Sequence, residues 1–241
     1  MRLALFGHGG MGSLVEARAK DGGHDVAVIF TDLDAARPPE EIARALRGAD
    51  AAVDFSVGAA VPGHVTACVQ AGVPLVEGTT GWQAHLAEVR DAVEKGKGAL
   101  VYGANFSIGV NLFYRIVTEA AAQVARDPAY APFLEEAHHA RKKDAPSGTA
   151  LKLRDILARA NGGRDIPVAS TRAGHIPGTH RVGFDGPADQ ITLTHTARSR
   201  EGFAAGALLA AQWIVASKRR GMFEFAEVLD EVLGAGKERG R

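Results

Sequence analysis

Cysteine is nearly absent: Cys68 is the only one in 241 residues. A single thiol excludes a disulfide framework and any cysteine-based zinc site within one chain. No charge sign dominates either, because 28 Lys and Arg stand against 28 Asp and Glu. A chain so balanced has no global basic field to draw nucleic acid. Its basic clusters, Lys218-Arg219-Arg220 and the tail Lys237-Glu238-Arg239-Gly240-Arg241, read as solvated ends. No apolar run reaches the roughly 18 residues that a membrane-spanning helix needs. The first residues enter a strand pattern and a glycine turn at once, without the layout of a secretion signal. Together these absences make a cytoplasmic protein the default expectation, with neither nucleic acid nor membrane as partner.

Glycine, by contrast, is placed with purpose. Leu3-Ala4-Leu5-Phe6 is a short buried-strand pattern, Gly7-His8-Gly9-Gly10-Met11-Gly12 follows, and Ser13 to Lys20 reads as a helix. Strand, G-x-G-x-x-G and helix in this order are the context of a dinucleotide fold. Gly7 permits the tight turn, Gly9 lets the backbone approach a pyrophosphate, and Gly12 lets the helix lie close to the strand. The candidate cofactor loop is therefore Gly7, His8, Gly9, Gly10, Met11 and Gly12. Asp25 to Phe30 reads as the second strand. Asp32 lies where an acid commonly binds the adenosine ribose, although the strand register leaves Thr31 as an alternative. Arg37 lies too far along to grip a 2′-phosphate, so NADH is favoured and NADPH stays open.

Strand and helix patterns then alternate. Strands are expected at Ala51–Ser56, Pro74–Glu77 and Ala99–Tyr102, with helices at Glu40–Leu46, Ala59–Ala71 and Leu86–Lys95. Such alternation implies a parallel sheet with right-handed crossovers and ligands at the carboxyl ends of the strands. Gly78-Thr79-Thr80-Gly81 and Gly103-Ala104-Asn105-Phe106 fall at such ends. A long helix from Gly109 opens a second half that is rich in strands and lacks the alternation. Strands are expected there at Val168–Arg172, Arg181–Phe184 and Ile191–Thr196, then helices at Phe203–Ser217 and Met222–Leu233. The expected fold class is α/β: an N-terminal Rossmann-like parallel-sheet dinucleotide-binding domain plus an α+β domain around a mixed or antiparallel sheet, with the boundary between Asn105 and Gly109.

The densest chemistry lies in Leu134 to Ala150. Leu134 to His139 reads as a strand, Pro146 and Gly148 interrupt regular structure, and Ser147 has the character of a helix N-cap. The amides of Gly148 and Thr149 would then sit unpaired at a helix start, which attracts a carboxylate or phosphate. His138 and His139 supply acid–base capacity near neutral pH, and a lysine supplies a cation or a proton. Solvated basic loops use the same residue types, but the convergence in one stretch points to a site that holds a small dianion and moves a proton.

His138-His139-Ala140-Arg141-Lys142-Lys143-Asp144-Ala145-Pro146-Ser147-Gly148-Thr149-Ala150 closely resembles the signature H-H-x-x-K-x-D-A-P-S-G-T-A of the dihydrodipicolinate reductase family. The segments Gly78–Gly81 and Ala104–Ser107 resemble that family's G-T-T-G and A-N-F-S segments, which border the nicotinamide. Arg172, Gly174, Gly178, His180, His195, Ser199-Arg200 and Phe203-Ala204 resemble its second half in order and type. The resemblance thus spans nearly the whole chain.

It implies NAD(P)H-dependent reduction of 4-hydroxy-tetrahydrodipicolinate, via dihydrodipicolinate, to tetrahydrodipicolinate on the way to diaminopimelate and lysine. It implies His138 and Lys142 as catalytic residues, His139, Gly148 and Thr149 on a substrate carboxylate, and no metal. It also selects Lys142 over its neighbour Lys143, and it implies a homotetramer built through the sheet of the second domain. Domains of 1–105, completed by 218–241, and of 106–217, the latter a substrate and oligomerisation domain, follow from the same resemblance. Three other classes stay open on the residues alone: another NAD(P) oxidoreductase of a small dicarboxylate, a cofactor-binding sensor without turnover, and a histidine-based metal hydrolase. The last lacks the i, i+4 histidine pair on a helix that zinc hydrolases use.

Overall fold

The computed structural model describes residues 1–34 and 37–234; the basic tail Lys237–Arg241 lies outside them. Two compact units emerge: Met1–Ile108 together with the chain from Arg200 onward, and Gly109–Ser199.

The first unit begins β1 (Arg2–Phe6), α1 (Gly10–Asp21), β2 (Asp25–Phe30), α2 (Pro39–Ala45), β3 (Ala51–Asp54), α3 (Val61–Ala71), β4 (Leu75–Glu77), α4 (Leu86–Lys95) and β5 (Ala99–Tyr102). Successive side chains of β1 serve opposite cores. Leu3 and Leu5 pack on one face, with Val15 and Ala19 of α1, while Ala4 and Phe6 pack on the other, with Val61 and Val65 of α3. Helices cover both faces, so β1 is an unbroken apolar run with no polar alternation.

The second unit holds α5 (Ile108–Val124), β6 (Ala131–His138), α6 (Gly148–Ala160), β7 (Val168–Arg172), β8 (Thr179–Asp185) and β9 (Gln190–Thr196). Its sheet order is β7-β6-β8-β9, with β6 and β7 parallel and the other pairs antiparallel. One face divides into two halves. Leu134, Val182, Phe184 and Leu193 pack with Val117, Leu153 and Leu157 of α5 and α6. By two-residue alternation the same face continues at one end into Glu136, His138, Ser170, Arg172, His180 and His195. Apolar burial on half of the face thus fixes where the polar half sits.

The chain then returns to the first unit through α7 (Glu201–Ser217), β10 (Gly221–Glu224) and α8 (Phe225–Val232). Two expectations change here. The resemblance placed residues up to 217 in the second domain, whereas α7 packs into the first unit's core through Ala204, Ala207, Ala210, Ala211 and Ile214. Gly206 allows this approach, because a Cβ there would run into the carbonyl of Phe106. The helix expected over Met222–Leu233 starts only at Phe225. Residues 221–224 pair in parallel with β5 and add a sixth strand, giving the order β10-β5-β4-β3-β1-β2. Pairing with a strand over a hundred residues away leaves no local periodicity to read. Glu224 and Glu227 then form a capping box that starts α8.

Candidate active site

In the first unit the strand order reverses between β1 and β3, and their carboxyl ends bound the crevice where such sheets bind ligands. Gly7, at φ +84°, closes the turn after β1, and a Cβ there would strike the Phe55 carbonyl after β3. A Cβ on Gly12 would strike the carbonyl of Gly7, so α1 and the turn are in backbone contact. Gly9 and Gly10 differ, because a Cβ on either meets nothing within 4 Å. Gly9 is the N-cap of α1 and provides no side-chain cap. The first amides of the helix are thus left to an outside anion, and this open cradle fits a pyrophosphate. His8 turns its ring to Glu16, 2.6 Å away, and Met11 packs against the core. Neither side chain reaches for phosphate.

Past β2, Asp32 is exposed. Asp34 is the engaged acid: its carboxylate accepts from the Thr31 amide at 2.8 Å and pairs with Arg37 at 3.0 Å. These contacts hold its carboxyl below the ordinary value, the Thr31 bond first and the Arg37 charge after it. Arg37 is therefore tethered to Asp34, just past the end of β2.

The loops after β3 and β4 are interlocked. Phe55 lies where a Cβ of Gly78 would be, and Gly58 packs on the backbone of Thr80 and Gly81. Beneath them is a buried network that sequence reasoning missed. Asp54 pairs with His64 at 2.7 Å and accepts from the Ser56 amide and the Thr79 hydroxyl, while Glu77 accepts from the Thr79 amide at 2.7 Å. Burial, and then the Asp54 charge, pushes the Glu77 carboxyl well above its ordinary value. Thr79 is thus spent on the loop itself, whereas Thr80 and Ala104 are exposed. Phe106 is core, its ring tilted against Phe225 with centroids 4.6 Å apart. Gly103 is partly exposed, and the Asn105 side chain accepts from the Ser107 amide at 2.9 Å.

In the second unit the histidine strand ends at His138, and a turn carries the chain through Ala140 and Arg141 to Lys142. Lys142 is partly buried and pairs with Asp144 at 2.8 Å, while Lys143 is exposed. That bond, more than any other contact, holds the Asp144 carboxyl below its ordinary value. Ser147 caps α6 by accepting from the Ala150 amide at 3.2 Å and touches His180 Nε2 at 3.1 Å. Gly148 is exposed with open space where a Cβ would be, and Thr149 bonds the Tyr114 phenol. The Nδ1 of His139 is buried and has no hydrogen-bond partner among the described residues.

The structure also assembles groups to which the sequence assigned no role. Glu136, fully buried, lies 2.5 Å from His138 Nδ1 and 2.7 Å from Arg172. His180 packs edge-on to His138, with centroids 5.1 Å apart, and burial pulls its ring down to about 4, aided by the His138 charge. Glu136, His138 and His180 could geometrically approach a metal ion. Arg172 already occupies the carboxylate, however, and a dication would face its guanidinium at close range. The available signal was Glu136-x-His138, two residues apart on a half-buried strand and hence on one face.

The two halves match known sequence families separately. Residues 1–106 match "Dihydrodipicolinate reductase, N-terminus", and residues 109–229 match "Dihydrodipicolinate reductase, C-terminus". The chain belongs to the dihydrodipicolinate reductase family. A 4-hydroxy-tetrahydrodipicolinate reductase of Christiangramia forsetii is 33% identical over 96% of this chain and 99% of its own length. One from Methanosarcina barkeri is 39% identical over 77% of this chain and 73% of its own. Among solved structures, a dipicolinate-bound dihydrodipicolinate reductase from Paenisporosarcina superimposes with a TM-score of 0.76. It covers 93% of this chain and 97% of that one at 21% identity, a likeness of fold. The Rossmann-like sheet with a second mixed sheet is thus the architecture of this family.

Proposed function

We infer that the chain catalyses the reaction for which its relatives are named: NAD(P)H-dependent reduction of 4-hydroxy-tetrahydrodipicolinate, through dihydrodipicolinate, to tetrahydrodipicolinate. The observation that carries the reading is the polar end of the second sheet. There a proton-handling histidine, a tethered lysine and a capped helix start with open space before Gly148 lie in one short stretch of chain.

When bound, a reduced nicotinamide would supply the hydride for ring carbon 4 of the unsaturated imine, and one proton would complete the reduction. Lys142 stabilises the charge that builds on the conjugated imine and its adjoining carboxylate, and His138 donates or accepts the proton. His139, Gly148 and Thr149 hold a carboxylate through a ring nitrogen and helix-start amides. Gly7 to Gly12 cradle the pyrophosphate, while Gly78 to Thr80 and Gly103 to Phe106 border the nicotinamide, through backbone at Thr79 and Phe106. The direct test is oxidation of NADH and NADPH with freshly made 4-hydroxy-tetrahydrodipicolinate; no turnover with either cofactor would refute the reading.

Pyridine-2,6-dicarboxylate should compete with substrate, because helix-start amides recognise carboxylates and not the ring. Raising salt should weaken the inhibition, since part of the attraction is Coulombic. A mimic that inhibits noncompetitively, or binds Thr149→Pro as tightly as wild type, would place the substrate elsewhere.

NADH is bound, and NADPH also. Arg37, tethered by Asp34 just past β2, is the cation we propose to meet a 2′-phosphate, while Asp32 remains the candidate for the ribose. Arg37→Ala should raise the NADPH dissociation constant by about tenfold, the scale of one lost charge-assisted contact, and leave NADH within about twofold. Equal weakening of both cofactors in calorimetric titration would remove Arg37 from the phosphate site.

The outer face of the second sheet supports a homotetramer. It presents Thr171, Thr192, Thr194, Thr196, Ala137 and Ala169, small residues around the larger Phe133 and the Glu135–Arg181 pair. Light scattering of the purified protein should return four chains, and a monomer would refute the assembly. A cytoplasmic site of action belongs to the same reading, because the reaction draws on soluble NAD(P)H; no described helix is long and apolar enough to cross a membrane. Cell fractionation would test it.

A further inference from the structure

One buried carboxylate on the second sheet has no part in the reaction as proposed. Glu136 stands two residues before His138 on β6, with its side chain at 0% exposure. One carboxylate oxygen meets His138 Nδ1 at 2.5 Å, and the other meets Arg172 Nη2 at 2.7 Å. A carboxylate so far from water persists only where partners compensate its charge. Burial alone would raise its titration, but the bonds from Arg172 and Ser170 and the His138 charge outweigh this and hold it below the ordinary value. Glu136 is therefore an anion at neutral pH. Arg172 also donates to the Asp144 carbonyl, which ties this carboxylate to the loop that carries Lys142.

The two nitrogens of His138 face different surroundings. Nδ1 is taken by Glu136, whereas Nε2 faces Gly178, where a Cβ would come within 3.1 Å of it. Gly178 sits at φ +140°, so a side chain there would be strained as well as obstructive. The bare backbone leaves Nε2 open.

We propose that Glu136, clamped by Arg172, is the positioning residue for His138: it fixes the ring with Nδ1–H inward and Nε2 outward and stabilises the ring when it carries a second proton. The inference rests on His138 being the proton-handling group. Such second partners fix the tautomer and orientation of working histidines elsewhere.

The charged and titratable groups facing the ring are Glu136 on β6, Arg172 on β7, His180 on β8, and Lys142 with Asp144 in the loop before α6. His195 on β9 stands beside His180, α6 presents Ser147 to His180, and α5 presents Phe113 to His195. Glu136 is the anion among them in direct contact with the ring, 2.5 Å from Nδ1. Burial disfavours the charged ring most, Glu136 opposes burial, and Lys142 and Arg172 add to it. Neutralising Glu136 therefore moves the ring's ionisation to lower pH.

The experiment compares wild type, Glu136→Gln, His138→Gln and the double variant by kcat/KM against pH, with NADH affinity as a control and nitrogen NMR of the His138 ring. In Glu136→Gln the ionisation in the profile should move down by about one pH unit or more. With His138 as donor, kcat/KM on the basic side should fall about tenfold, the equivalent of one unit, while NADH affinity stays put. The double variant should lose little beyond His138→Gln alone, as residues acting as a unit do. In wild type the neutral ring should carry its proton on Nδ1. A folded Glu136→Gln protein with an unmoved profile would overturn the proposal, and so would a neutral His138 protonated on Nε2. If Glu136→Gln does not fold, the wild-type tautomer decides alone. Full activity in His138→Gln is a separate outcome, which overturns the assignment of His138 and the proposal with it.

Discussion

Lys142→Ala is expected to lower kcat by roughly 10²- to 10⁴-fold, the range in which positioned charge and acid–base groups contribute, while Lys143→Ala changes kcat/KM by no more than a few-fold. Lys142 is partly buried and held 2.8 Å from the Asp144 carboxylate, whereas Lys143 is exposed. Both lysines follow the turn at Ala140–Arg141, beyond the strand that ends at His138, so strand alternation does not set them apart; burial and the Asp144 pair do. Lys142→Arg should recover only part of the loss, because a planar guanidinium keeps the charge and changes its geometry. The fold should survive each change, since a partly exposed ion pair contributes about 1 kcal/mol or less to stability. His138→Ala should resemble Lys142→Ala, and the double variant should lose much less than the product of the two. Steady-state kinetics at fixed salt on these variants decides the matter. Equal damage from both lysines would mean that the loop works in another register.

Gly9→Val and Gly12→Val should fail in opposite ways. At Gly12 a Cβ runs into the Gly7 carbonyl, a backbone atom that cannot swing aside. Even Gly12→Ala should cost about 1–3 kcal/mol through overpacking, which outweighs the roughly 1 kcal/mol of helix propensity gained. In a chain of this length each kcal/mol lowers Tm by about 2–4 °C, and valine should do more damage than alanine. At Gly9 a Cβ meets nothing, so Gly9→Val should unfold at the wild-type temperature. Its branched side chain would instead occupy the space before the start of α1, and the dissociation constants of NADH and NADPH should rise at least about tenfold, or 1.4 kcal/mol. Calorimetric titration with thermal unfolding separates the two effects. Unchanged cofactor affinity in Gly9→Val would move the pyrophosphate away from this turn.

The residues alone carried much of this. Local pattern placed β2, β5, α4 and β7 at their observed limits, because each is a run whose periodicity and flanking turns lie within its own segment. The glycine turn was legible for the same reason: strand, turn and helix are contiguous, and Gly7 and Gly12 answer to backbone in that turn or the crevice beside it. The histidine and lysine stretch was legible as chemistry because its groups are close in sequence. β10 and the place of α7 were not legible, since both depend on partners over a hundred residues away.

The same limit applies to the sites. Sequence by itself determined that this chain carries a dinucleotide turn and a dicarboxylate-reductase signature, since both are encoded in consecutive residues. Only the tertiary structure decided that Glu136, Arg172 and His180 surround His138, that Asp34 tethers Arg37, and that Asp54, His64 and Glu77 lie beneath the Thr79 loop. Strand pairing sets those neighbours. In the second unit, pairing is fixed by which half of each strand can be buried against α5 and α6, a property of the packed sheet and of no single segment.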